Sequence, residues 1–151
     1  MTGLTRLARM RWWHLSDVLT LERQLFGADR WTAAMFWSEL AEHATRHYLI
    51  AVGESGDVIG YAGLCTYATE AYVQTLAVRA DRQGSGMGRD LLVALLAEAD
   101  RRRVTTVALE VRADNATAQR LYLRHGFELA GLRRGYYQPS GADAVVMVRA
   151  G

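Results

Sequence analysis

The sequence predicts an α+β architecture: a mixed, mostly antiparallel central sheet flanked by helices, in the order β-α-α-β-β-β-α-β-α-β-β. Three observations carry that expectation. Two apolar runs flank residues 53–57 in "YLIAVGESGDVIGYAGLCTY", the pattern of a hairpin. One strand–helix–strand unit, from "AYVQTLAV" to "VTTVALEVR", sits mid-chain, so a single crossover serves a parallel pair. The chain closes on "FELAGLRR" and "DAVVMVR", two strand-like runs with no helix between them. With 151 residues, half of them apolar, the span 1–151 reads as a single domain that buries its own core.

The elements follow in order. "TRLARMRW" alternates as a first strand. "SDVLTLERQLF" offers Ser16 as a helix cap and sets Val18, Leu21 and Leu25 on one face. "WTAAMFWSELAEHA" repeats the signal with Thr32 as cap. After the hairpin and "AYVQTLAV" comes a glycine-rich segment. A helix then stripes Leu91, Leu92, Leu95, Leu96 and Ala99. "VTTVALEVR" is β-branched and reads as a strand. "NATAQRLYLRH" is a short helix closed by Gly126.

Composition removes several function classes. All 18 basic residues are arginine, which excludes lysine Schiff bases and the P-loop lysine. Net charge is only +2 and the arginines are scattered, so no nucleic-acid partner is expected. Arg101, Arg102 and Arg103 suit a helix C-terminus. Cys65 is the sole cysteine and reads as a core residue, in keeping with a reducing compartment. The four histidines show no metal spacing, so no metal is expected. No run of 18 apolar residues or signal peptide is present, so no membrane partner is expected and the default location is cytoplasmic.

The glycines Gly84, Gly86 and Gly88 fall just before a helix. A helix N-terminus offers unpaired N–H groups and partial positive charge, and missing Cβ atoms let a phosphate approach. Arg82 and Arg89 add counter-charge. A dinucleotide fingerprint needs its third glycine where Arg89 stands, and the chain has one βαβ unit only.

"QGSGMG", Gln83 to Gly88, resembles the Q/R-x-x-G-x-G/A motif of the GNAT superfamily of acetyl-CoA-dependent N-acetyltransferases. The resemblance runs from about Leu49 to Val148. "TLAV", "GMGRDLL", "ALEVRADNATAQRLYLRHGF" and "RRGYYQPSGADAVVM" together are similar to the RimI-type enzymes, which acetylate the N-terminal alanine of a small-subunit ribosomal protein. The resemblance implies the GNAT fold, acetyl-CoA as co-substrate and a protein or peptide N-terminus as acceptor partner. It places Leu76, Ala77 and Val78 along the pantetheine arm and Gly84, Ser85, Gly86, Met87, Gly88 and Arg89 at the pyrophosphate, with Arg82 and Gln83 also among the cofactor-binding residues. It assigns Asn115 to the cofactor arm, Glu110 as proton acceptor, Tyr122 as proton donor, and Tyr136 and Tyr137 to the peptide entrance.

The chemistry suits those types. An N-terminal amine has a pKa of about 8, so near neutrality it must lose a proton before attacking a thioester. Period two puts Val107, Leu109 and Val111 on one face of a strand and Glu110 with Arg112 on the other. Glu110 is therefore a base, or the partner of Arg112 or another arginine. Tyr122, seven residues after Asn115, shares its helix face and is a donor, or an aromatic at the core edge. A strand amide near Leu76 suits the carbonyl oxygen. His125 reads as structural.

The first third matches least. The family's Pro-Trp pair is replaced by "DRW", so Trp31, with Phe36 and Trp37, is cleft lining or core. Glu70 precedes the donor strand, near a place for the acceptor's N-terminus or basic residues. Two rival functions remain: a GNAT enzyme with broader peptide, lysine or small-amine acceptors, and a CoA-binding module without turnover.

Overall fold

The computed structural model describes residues 6–150. Its strands are β1 (Arg6–Arg9), β2 (Arg46–Val52), β3 (Val58–Tyr67), β4 (Glu70–Val78), β5 (Thr106–Arg112), β6 (Glu128–Arg133) and β7 (Ala144–Ala150). Its helices are α1 (Leu15–Phe26), α2 (Ala33–Ala41), α3 (Met87–Arg101) and α4 (Ala116–Arg124). The expected element order is the observed one. The strands form one seven-stranded sheet, β1-β2-β3-β4-β5-β7-β6. Among neighbouring strands only β4 and β5 pair in parallel, joined by the crossover helix α3.

The alternation of each central strand feeds two cores, one per sheet face. On one face Leu91, Leu92 and Leu95 of α3 pack with Val107, Leu109 and Val111 of β5, Tyr122 and Phe127. On the other, Leu15, Val18 and Leu21 of α1 and Phe36 of α2 pack with Tyr48, Ile50 and Tyr61. Cys65 is fully buried in the sheet. No helix among the described residues is long and apolar enough to cross a membrane.

Helix ends follow the expected chemistry at two of three sites. Thr32 caps α2, accepting from the Met35 N–H at 3.3 Å. Gly126 takes φ +88° just past α4. Ser16 does not cap α1. A short turn at Trp12–His14 carries the chain into the helix at Leu15, and Ser16 lies inside it. The Arg11 N–H donates to His14 Nδ1 at 2.8 Å, so the turn is fixed by residues before the expected cap.

Gly63 is the tightest point of the sheet. A Cβ there would lie 2.2 Å from the Tyr48 ring, which is buried and held by Glu39 at 2.6 Å. Gly63→Ala is therefore expected to destabilise the fold by about 1–3 kcal/mol, the scale of overpacking. Urea unfolding checks it through the midpoint.

Candidate active site

β4 and β5 pair only from Glu70↔Thr106 to Val73↔Leu109, and then part. The cause lies in β4. Against β3, Gly63 faces Thr75 while Leu64 faces Val73, so Gln74 is an extra residue, a bulge that bends the strand. Beyond it, β4 keeps its ladder with β3 and leaves its other edge free. The Arg79 N–H donates to the Ile59 carbonyl at 2.8 Å. By alternation along the antiparallel ladder, the peptide groups of Leu76 and Val78 then face the free edge. The Gln83 amide takes the Val78 carbonyl at 3.0 Å and ties the following loop back to the strand.

The parting opens a cleft of about 510 Å³ through the sheet. Among the sequence-predicted site residues, Trp31, Leu76, Glu110, Asn115, Tyr122, Tyr136 and Tyr137 line it. Because the split joins the two faces, residues from both reach one space. Glu110 stands on the α1–α2 face, opposite its buried neighbours Leu109 and Val111. Tyr122 comes from the α3–α4 face.

Glu110 is partly exposed, and its Oε1 accepts from Arg133 Nη1 at 3.3 Å. Arg112, the nearer arginine in sequence, is engaged by Asp114 and Asp29 instead. Arg133 also stacks over Tyr136 at 5.3 Å. The Tyr122 ring is buried edge-on against Phe127 at 5.7 Å. Burial, and then the neighbouring Tyr137, push its phenol well above the ordinary tyrosine range, so it holds its proton. Burial likewise pushes Tyr137 up to about 12. Asn115 caps α4: its Oδ1 accepts from the Ala118 N–H at 3.1 Å, which leaves its NH2 group for a ligand.

The glycine loop lies at the start of α3. Gly84 has φ +82° with open space around its Cβ position, and Gly86 caps α3 with φ +89°. Both glycines are required by the backbone conformation itself. Gly88 is different: it is helical, and a Cβ would touch Leu121 at an ordinary 3.4 Å. Met87 sends its side chain into the core, so only its backbone is available to a ligand. Arg82 ends the Ala80–Arg82 turn and Arg89 leans on Asp90 at 3.3 Å. The Ser85 hydroxyl donates to the Arg82 carbonyl at 2.5 Å. The free N–H groups of the first α3 turn, with glycine in place of side chains, fit a pyrophosphate.

The fold does not bring every expected residue together. Glu70 sits at the closed end of β4, hydrogen-bonded by Tyr72 at 3.3 Å, and does not line the cleft. Trp37 lines a separate cavity of about 350 Å³ with Trp12 and Trp13. Conversely, Glu22, Asp29, Gln74 and Thr75 line the cleft without having been singled out. Glu22 is 1% exposed and accepts from the Trp31 N–H at 2.9 Å and the Tyr61 hydroxyl at 2.7 Å. Burial raises its carboxyl above the ordinary range against those two hydrogen bonds. The readable signal was an acid four residues after Val18, on the apolar stripe of α1. Among the described residues, no group of three or more His, Cys, Asp or Glu side chains is placed to hold a metal.

Comparison with known proteins gives the family. The profile of the Acetyltransferase (GNAT) family matches residues 9–127. The chain belongs to the GNAT acetyltransferase family. Members take their acyl group from acetyl-CoA, so the chain is an acyltransferase of RimI type. The N-alpha-acetyltransferase RimI of Mycobacterium tuberculosis is 44% identical over 134 residues, 85% of this chain and 82% of that protein. The [ribosomal protein bS18]-alanine N-acetyltransferase of Escherichia coli is 38% identical over 116 residues, 74% of this chain and 78% of that one. The crystal structure of the ribosomal-protein-S18-alanine N-acetyltransferase from Escherichia coli superposes with a TM-score of 0.85, covering 97% of this chain and 94% of that one, at 30% identity.

Proposed function

We propose that this chain, acting as a single catalytic domain, transfers acetyl from acetyl-CoA to the N-terminal α-amine, preferably of alanine, of a small-subunit ribosomal protein. The observation that carries the reading is the free edge of β4 beyond Val73, opening onto Glu110 and Tyr122 in one cleft. The ribosomal acceptor is supported by the name of the Escherichia coli relative. Such an acceptor places the enzyme in the cytoplasm.

Each residue then has a task. The peptide groups of Leu76 and Val78 hold the pantetheine arm as a strand would. The Leu76 N–H polarises the thioester carbonyl. Asn115 contacts the arm, and the N–H groups of Gly84 to Arg89, with Arg82 and Arg89 nearby, receive the pyrophosphate. Glu110 takes a proton from the acceptor ammonium, directly or through water. The freed nitrogen bonds to the acetyl carbon, the C–S bond breaks, Tyr122 protonates the departing thiolate, and the proton shed by the new amide nitrogen returns through water to the Tyr122 phenolate. Trp31, Tyr136 and Tyr137 shape the acceptor entrance.

A broader acceptor range is the second reading, favoured by the Mycobacterium tuberculosis relative, whose name specifies an α-amine and no single protein. The test is a panel of peptides differing only in the first residue, incubated with acetyl-CoA and read by mass. Alanine-first peptides are expected to gain one acetyl group fastest. Equal rates across the panel would support the broad reading, and no acetylation of any amine would leave a silent CoA-binding module.

A further inference from the structure

Three acids line the cleft: Glu22, Asp29 and Glu110. Two of them have a cation. Asp29 takes Arg112 Nη1 at 2.9 Å, and Glu110 takes Arg133 Nη1 at 3.3 Å. Glu22 differs. Among the described residues, no arginine or histidine forms an ion pair with it. Arg30 lines the same cleft, but its Nη1 donates to the Gly27 carbonyl at 2.9 Å.

Glu22 belongs to the buried stripe of α1, with Leu15, Val18 and Leu21. A leucine at that position would bury favourably, whereas a carboxylate buried without a cation is costly. Neutral donors offset part of that cost. The Trp31 N–H donates to Oε2 and the Tyr61 hydroxyl to Oε1, so each oxygen accepts one hydrogen bond. Burial works against the charge, and these two bonds work for it. An ionised carboxylate offers about four lone-pair sites, so roughly two stay open. What the group lacks is a positive partner, and an acceptor's α-ammonium would bring one into the cleft that Glu22 lines.

We propose that Glu22 is the counter-charge that draws the acceptor's terminal ammonium into the cleft, a binding role separate from the proton transfer given to Glu110. Near neutrality a terminal amine with a pKa of about 8 arrives mostly as ammonium. A fixed negative charge in a wall shielded from water acts on it more strongly than an exposed one. The two acids then divide the work. Glu110, partly exposed, takes the proton. Glu22, buried and held by two hydrogen bonds, keeps its charge in place and favours the protonated terminus before transfer. The inference rests on the α-amine reading above.

The experiment measures binding to the intact protein loaded with coenzyme A, which carries no acetyl group, so nothing reacts. Two peptides are titrated by calorimetry. One begins with alanine; the other has the same sequence with hydrogen in place of the terminal amino group. The wild-type protein is expected to bind the first more tightly. Glu22→Gln keeps the size of the side chain and is expected to lower that preference about tenfold, the scale of one charge acting across a partly solvated site. Tyr61→Phe removes one hydrogen bond and keeps the charge, so the preference is expected to hold. If Glu22→Gln does not fold, Glu22→Leu combined with Tyr61→Phe replaces the pair by apolar groups and is expected to lower the preference as well. A purely structural role would weaken both peptides together and leave their ratio fixed. That result in either folded Glu22 variant overturns the proposal, as does a wild-type protein with no preference, or loss of the preference in Tyr61→Phe alone. Failure of the wild-type protein to acetylate the alanine-first peptide from acetyl-CoA would instead overturn the α-amine reading itself.

Discussion

Glu110→Gln is expected to lower kcat by on the order of 10²-fold, the usual scale for a lost general base. The substitution is nearly isosteric. Its amide oxygen still accepts from Arg133, as Glu110 does at 3.3 Å, so the arrangement of β5, β6 and Tyr136 is kept. Only the capacity to take a proton is removed. Affinity for acetyl-CoA should hold, because the proposed donor site runs along β4 and the α3 loop, away from the Glu110 carboxylate. Steady-state kinetics beside calorimetric titration of coenzyme A checks both points. An unchanged rate would reduce Glu110 to the ion-pair partner of Arg133.

Tyr122→Phe carries the second large effect, a fall in kcat of about 10²-fold with coenzyme A affinity near normal. The ring keeps its edge-on contact with Phe127, so the core is retained. What is lost is one hydroxyl whose proton burial has made hard to remove in the absence of a leaving group. A thiolate formed next to it supplies the driving force. Thiol release measured beside calorimetric titration of coenzyme A separates the two quantities. A large loss of affinity with turnover intact would make Tyr122 a binding residue.

The sheet was legible because its signals are local. The alternation of "VALEVR" put Glu110 and Leu109 on opposite faces before any tertiary contact was known. Thr32 and Gly126 announced helix ends through capping chemistry that a few residues decide. The α1 start departs from the capping pattern because Trp12–His14 forms a turn of its own upstream of Ser16. The glycine loop was legible as a motif, yet its glycines divide: two are needed for positive φ, while Gly88 is an ordinary helical position.

The acceptor side was less legible. The bulge at Gln74 that opens the cleft depends on the register against Gly63 and Leu64, and no local pattern encodes it. Asp29 finds Ser140 across 111 residues, a contact that no local pattern encodes. Glu22 left half a signal, an acid on an apolar stripe, whose partners Trp31 and Tyr61 only the fold reveals.

The most direct test offers one peptide in two forms, alanine-first with a free amine and the same chain blocked at its N-terminus, and follows thiol release from acetyl-CoA. Release with the free form alone is the predicted result. Equal release from both, or none from either while coenzyme A still binds, would contradict transfer to the α-amine.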